Sequence, residues 1–253
     1  MRKIAISAAL TAVLFVTACG GDEPETTTDS SPSETTGGGG EQKPDDSEEN
    51  AGGEIADLTT ALLTAEDLPE GAQLTPISGD LLTSTTTSMA GMLEDVTYEP
   101  ADCGGEKANE TNPLAGEGVQ AEAVSASVGE LPAFDVVVHA VYSGASADGL
   151  SALEDYAEQC SEVALTGTIA GQTIDSTSTI SVVDAPSVDA DATLAIDVST
   201  TSAAMPTPIP LNRAIYIVDG DYGIMLSANP ESEVFDLDAL AQTALDKLHA
   251  AQG

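Results

Sequence analysis

Ala214-Ile215-Tyr216-Ile217-Val218-Asp219-Gly220-Asp221-Tyr222-Gly223-Ile224-Met225-Leu226 holds two short runs of branched, aromatic and aliphatic residues around an Asp-Gly-Asp centre. Such runs fit the pleated, half-buried surface of a strand, and an Asp-Gly pair supplies the turn of a tight hairpin. Strands are therefore predicted over 214–218 and 222–226. Downstream, Asp236 is placed to cap a closing helix whose apolar face is Leu237, Leu240, Ala241, Ala244, Leu245 and Leu248. Upstream, residues 193–199, 178–183 and 168–174 read as further strands. Between them, the alternating prolines of Met205-Pro206-Thr207-Pro208-Ile209-Pro210 forbid a central strand and predict an extended edge or a loop.

Further out, 119–128 and 134–142 are rich in β-branched residues and flank Gly129-Glu130-Leu131-Pro132, which reads as a hairpin. Ser146 is positioned as N-cap of a helix over 148–164, with Leu150, Leu153, Ala157, Cys160 and Ala164 on its apolar face. An N-terminal helix fits 56–66, where Leu58, Ala61, Leu62 and Ala65 share a face before Asp67-Leu68-Pro69 stops it. A shorter helical turn fits 89–93. Helices at the N-terminus, the centre and the C-terminus around a mainly antiparallel sheet predict a two-layer α+β fold.

The first residues carry an address rather than a fold. Met1-Arg2-Lys3 precedes an apolar run over 4–16, which ends in Val16-Thr17-Ala18-Cys19. The run falls short of the ~20 residues needed to cross a bilayer. The four closing residues resemble a bacterial lipobox. Residues 1–18 are thus expected to be a lipoprotein signal peptide and Cys19 the lipidated residue, its acyl chains anchoring the chain to the cell membrane on the extracytoplasmic side. Residues 19–53 are almost devoid of apolar side chains and include Gly37 to Gly40 in succession, a composition expected to stay disordered and serve as an acidic tether. Residues 54–253 are long enough to form one domain.

Charge narrows the partners. The sequence carries 43 acidic and six basic residues, a formal net charge of −37, with no tryptophan. All the acidic residues follow Cys19, joined there by only Lys43, Lys107, Arg213 and Lys247. That field repels nucleic acid, so none is expected as a partner. It suits cationic partners or simple solubility. Assigning Cys19 to lipid leaves Cys103 and Cys160, which an oxidising compartment would pair; two free buried thiols are the competing reading.

Catalytic and metal chemistry find little to stand on. The residues three before Lys43, Lys107 and Lys247 are Gly40, Gly104 and Ala244, so no Ser-x-x-Lys nucleophile exists. Ser146 is better explained as a cap. His139 lies on the strand face opposite Phe134, Val136 and Val138 and reads as a half-buried strand residue; His249 sits in the last helical turn, where a cation suits the helix dipole. Asp189-Ala190-Asp191, Asp219-Gly220-Asp221 and Asp236-Leu237-Asp238 offer oxygen ligands but none of the spacing of a calcium loop, and they read as turns and a cap. Neither an enzyme, nor a cofactor, nor a metal site is expected.

One resemblance bears on function. The run Ala61-Leu62-Leu63-Thr64-Ala65-Glu66-Asp67-Leu68-Pro69-Glu70-Gly71 is similar to the opening of actinobacterial cell-envelope domains. Pro100-Ala101-Asp102-Cys103, Val141-Tyr142-Ser143-Gly144-Ala145 before a helix ending Glu158-Gln159-Cys160, and Asn212-Arg213-Ala214-Ile215-Tyr216-Ile217 together resemble the PknH-type extracellular sensor domain family. This family includes lipoproteins and the outer domains of Ser/Thr kinases. The resemblance spans most of 56–250 and implies an α+β fold with a cleft and a ligand-sensing role. Two departures stand out: two cysteines are available where the kinase sensor has two disulfides, and the central helix lacks a tryptophan. No ligand residue is transferred. The expected function is a noncatalytic ligand-binding or sensor-like domain at the envelope, meeting an unidentified envelope ligand or protein. The alternative is a lipid or glycolipid carrier.

Overall fold

The computed structural model describes residues 54–82, 84, 93, 95–104, 106–114, 118–130, 133–169 and 171–253. The expected signal peptide, Cys19, the 19–53 tether and, apart from Leu93, the helical turn over 89–93 lie outside them. Among the described residues nine strands form one open antiparallel sheet: β1 (Gln73–Ile77), β2 (Val96–Glu99), β3 (Ala121–Glu130), β4 (Ala133–Ser143), β5 (Glu162–Ile169), β6 (Gln172–Val183), β7 (Ala192–Ser202), β8 (Met205–Asp219) and β9 (Tyr222–Ala228). Their spatial order is β1-β3-β4-β9-β8-β7-β6-β5-β2. α-Helices accompany them, among them α1 (Glu106–Glu110), α2 (Ala147–Gln159) and α3 (Leu237–Gln252). The fold is α+β, as the sequence implies.

Side-chain alternation along the central strands produces two cores rather than one. On one face Val137 and Val141 of β4, Ile215 and Ile217 of β8, and Ile224 and Leu226 of β9 pack against the expected apolar face of α3. On the other face Tyr142, Leu194, Ile196 and Val218 meet Leu150, Leu153 and Ala157 of α2. Helices thus cover both faces of the central strands, and the two-layer expectation is corrected. Each buried leucine is worth about 1.5–3 kcal/mol by area removed from water, so both faces contribute.

Several local readings hold. Asp219 and Tyr222 pair across the β8–β9 turn, with Gly220 at φ 59, a conformation glycine adopts without penalty. The Ser146 hydroxyl accepts from the Gly149 N–H at 3.1 Å and caps α2; Asp236 accepts from the Ala239 N–H at 3.2 Å and caps α3. The prolines of 205–210 lie in the first half of β8. There β8 pairs with β7 alone, because its ladder with β9 begins only at Arg213, so the segment is the extended edge that the prolines require.

Other readings are corrected. The helix expected over 56–66 is two 3-10 turns, Leu58–Ala61 and Ala65–Asp67, with extended backbone at Leu62 and Thr64. Local side chains start each turn separately: Asp57 caps the first by accepting from the Thr59 N–H, and Asp67 accepts from the Thr64 N–H, which a continuous helix would direct to the Thr60 carbonyl. The central helix stops at Gln159 instead of Ala164. Val163 and Leu165 belong to β5. The strand expected over 168–174 straddles the β5–β6 turn, and Gly129 and Glu130 extend β3 rather than forming the loop. Strands β1 and β2 and helix α1 were not anticipated. All three are five residues or shorter, and β1 contains Pro76.

Candidate functional site

The sheet is covered unevenly. On the α3 side, α3 lies over β4, β9 and the second half of β8. Register carries that same face outward from Ala195 to Val183, then to Ser181, Thr179 and Asp175 on β6, to Glu162, Thr166 and Thr168 on β5, and to Thr97 and Glu99 on β2. Apart from Ala195 and Val183, these side chains are exposed. The reverse face of this wing is closed by Cys103, Cys160, Val163, Tyr98 and Tyr156. One side of the wing is therefore packed, and the other presents hydroxyls and carboxylates.

Where the wing meets α3, Arg213 and Asp197 stand opposite each other on β8 and β7. Arg213 donates from Nε to Oδ1 at 2.7 Å and from a terminal nitrogen to Oδ2 at 2.8 Å, a two-point contact. The Asp197 hydrogen bond holds the guanidinium charged more firmly than usual, and Asp238 adds to this. Arg213 also edges an open hollow of about 360 Å³ whose lining includes Asn229, Ser232, Glu233, Phe235 and Asp238.

Electrostatically the wing is bare. The three Lys and Arg side chains among the described residues are all committed to carboxylates: Lys107 to Glu110 at 3.2 Å, Arg213 to Asp197, and Lys247 to Asp67 at 2.9 Å. Among the described residues no Lys or Arg therefore neutralises Glu99, Glu162 or Asp175. A flat, hydroxyl-rich surface with uncompensated carboxylates attracts positive charge and can offer many weak hydrogen bonds.

The residues singled out by sequence fall in separate places. Cys103 and Cys160 form a disulfide, Cα to Cα 5.5 Å, joining residues 57 apart. Tyr156 donates its hydroxyl to the Cys103 carbonyl at 3.0 Å beside it, and burial pushes that phenol up. Ser146 serves α2 as a cap. His249 contacts Asp219 at 3.0 Å. Asp191 accepts from the Gly220 N–H at 2.9 Å, so it fastens the hairpin turn. Among the described residues no three His, Cys, Asp or Glu side chains converge as metal ligands would.

His139 differs from expectation. It is 1% exposed, not half-buried, because its face lies under the N-terminal segment as well as the sheet. Its Nδ1 accepts from the Leu63 N–H at 3.1 Å, while Nε2 has no partner among the described residues. Burial first, then Lys247, pull its pKa down to about 3 against an opposing pull from Asp67. No local pattern marks Leu63 as its partner. Nor does one single out Thr166, Asp175 and Thr179, whose shared face emerges only from strand register.

No family model matches the chain. No curated protein matches it. Among solved structures, an uncharacterised protein (Rv0999 ortholog) from Mycobacterium smegmatis is similar at 16% identity and TM-score 0.39, covering 78% of this chain and 95% of that one.

Proposed function

We propose that the chain is an extracytoplasmic lipoprotein, anchored to the cell membrane through Cys19 and tethered by 19–53, whose 54–253 domain is a noncatalytic ligand-binding or sensor-like module. The observation that carries the binding part is the exposed wing beside the Arg213–Asp197 pair, where no Lys or Arg among the described residues neutralises Glu99, Glu162 or Asp175. Its chemistry selects an envelope ligand or protein that presents positive charge together with hydrogen-bonding groups. The resemblance to the PknH-type sensor family and the lipobox at 16–19 support the compartment and the role. The hollow at Arg213 is open and polar, which suits a hydrated ligand and is no sheath for an acyl chain.

The test has two arms. Cells grown with labelled palmitate should incorporate label into the wild-type chain and not into Cys19→Ala. A cationic peptide titrated into the protein should shift amides of β5 and β6, and Glu162→Gln with Asp175→Asn should weaken binding by at least fivefold. Neutralising Asp148 and Asp155 on α2 should matter less. Equal loss from both double variants would mean the peptide reads net charge alone, and the wing would not be a site.

A further inference from the structure

The N-terminal segment over 55–67 is held to the core at three points. The Ile55 N–H donates to the Tyr222 hydroxyl at 2.7 Å, the Leu63 N–H donates to His139 Nδ1 at 3.1 Å, and Asp67 pairs with Lys247 at 2.9 Å. Between them Leu58, Ala61 and Leu62 are buried against the α3-side core. The middle fastening is chemically conditional. Nδ1 can accept from an amide only while it carries no proton, so the closed segment requires a neutral imidazole. A proton on Nδ1 would set two donors against each other in a site from which water is excluded.

We infer that this segment is a proton-released clasp, closed by neutral His139 and opened as the imidazole takes up a proton. The charged groups that face His139 are Lys247 from α3 and Asp67 from the clasp itself. Glu122 of β3 shares its sheet face, opposite Val141, and β9 contributes Tyr222 to that face. Lys247 opposes a second positive charge. Asp67 is already occupied: burial works against its charge, but Thr64 and Lys247 hold its carboxyl below the usual range.

The direction of the pH effect follows from linkage. His139 binds a proton less readily in the closed state than when the clasp lifts and the imidazole meets water, where its ordinary pKa is about 6.5. The closed state is therefore at full strength above about pH 6.5 and weakens as pH falls toward about 3. Between those limits the opening constant rises about tenfold per pH unit, giving about tenfold from pH 7.5 to 5.5 and about ninetyfold to 4.5. The clasp begins at the junction with 19–53. If that segment is the tether, opening adds about 45 Å of extended chain to its reach. The clasp itself stands on the three contacts whether or not the tether reading holds.

Amide hydrogen exchange of the whole chain, followed by mass spectrometry from pH 7.5 to 4.5 and corrected for intrinsic rates, tests this. Peptides covering 55–63 should show the rise, while α2 and β9 stay protected. His139→Asn keeps an acceptor near the Nδ1 position without a group that titrates, and should flatten the dependence with the clasp closed. If that variant does not fold, the wild-type imidazole resonances of His139 should show no titration near pH 6.5 in the closed state. Flat exchange at 55–63, exchange rising uniformly across the domain, a pH dependence that survives in His139→Asn, or a His139 titration near 6.5 would each overturn the proposal.

Discussion

Arg213 grips both carboxylate oxygens of Asp197 across β7 and β8, at 2.7 and 2.8 Å, on the boundary between the covered and the bare parts of the sheet. The two side chains are about one-third exposed. A double-mutant cycle with Arg213→Ala and Asp197→Ala should give a coupling of about 1 kcal/mol, at the upper end for surface pairs because the contact is two-pointed. It should shrink in 1 M salt. A coupling near zero would mean that solvent screens the pair completely.

Replacing Cys103 and Cys160 by alanine together should cost about 4 kcal/mol in chemical denaturation, since the bond closes a loop of 57 residues in the unfolded chain. Mass spectrometry of the wild type without reductant should find two hydrogens fewer than with it.

The last helical turn contains two neighbours with opposite sensitivities. Leu248→Ala empties a site that is 0% exposed and should cost about 2–5 kcal/mol, whereas His249→Ala removes only an exposed contact to Asp219 and should stay within about 0.5 kcal/mol. Similar losses from both would place the core face of α3 elsewhere.

Gly223→Ala should behave like a core substitution despite its size. A methyl group there would run into the ring of Tyr142, which is itself 1% exposed. The expected cost is about 1–3 kcal/mol, with a changed near-ultraviolet tyrosine signal as the ring is displaced.

What could be read from sequence was local and periodic. The face of α3, the Ser146 and Asp236 caps and the Asp219-Gly220 turn are each written in a few adjacent residues. The N-terminal turns escaped because their decisive bond runs from Leu63 to His139, 76 residues away, and no local pattern reports it. The same holds for the wing. Thr97, Thr166 and Asp175 look like unrelated polar residues until register lines them up across three strands. The two-layer expectation failed for a related reason: the strands 214–218 and 222–226 are apolar on both faces, which is the mark of a strand buried from both sides.

The prolines at the start of β8 have one more effect. Pro206, Pro208 and Pro210 recur at every second residue along the part of β8 that lies beyond its ladder with β9, and proline has no N–H to give. An open sheet normally offers its margin as a template on which another chain can grow. At Pro206, Pro208 and Pro210 this margin has no amide to donate, so a neighbouring acidic domain finds a poor template there.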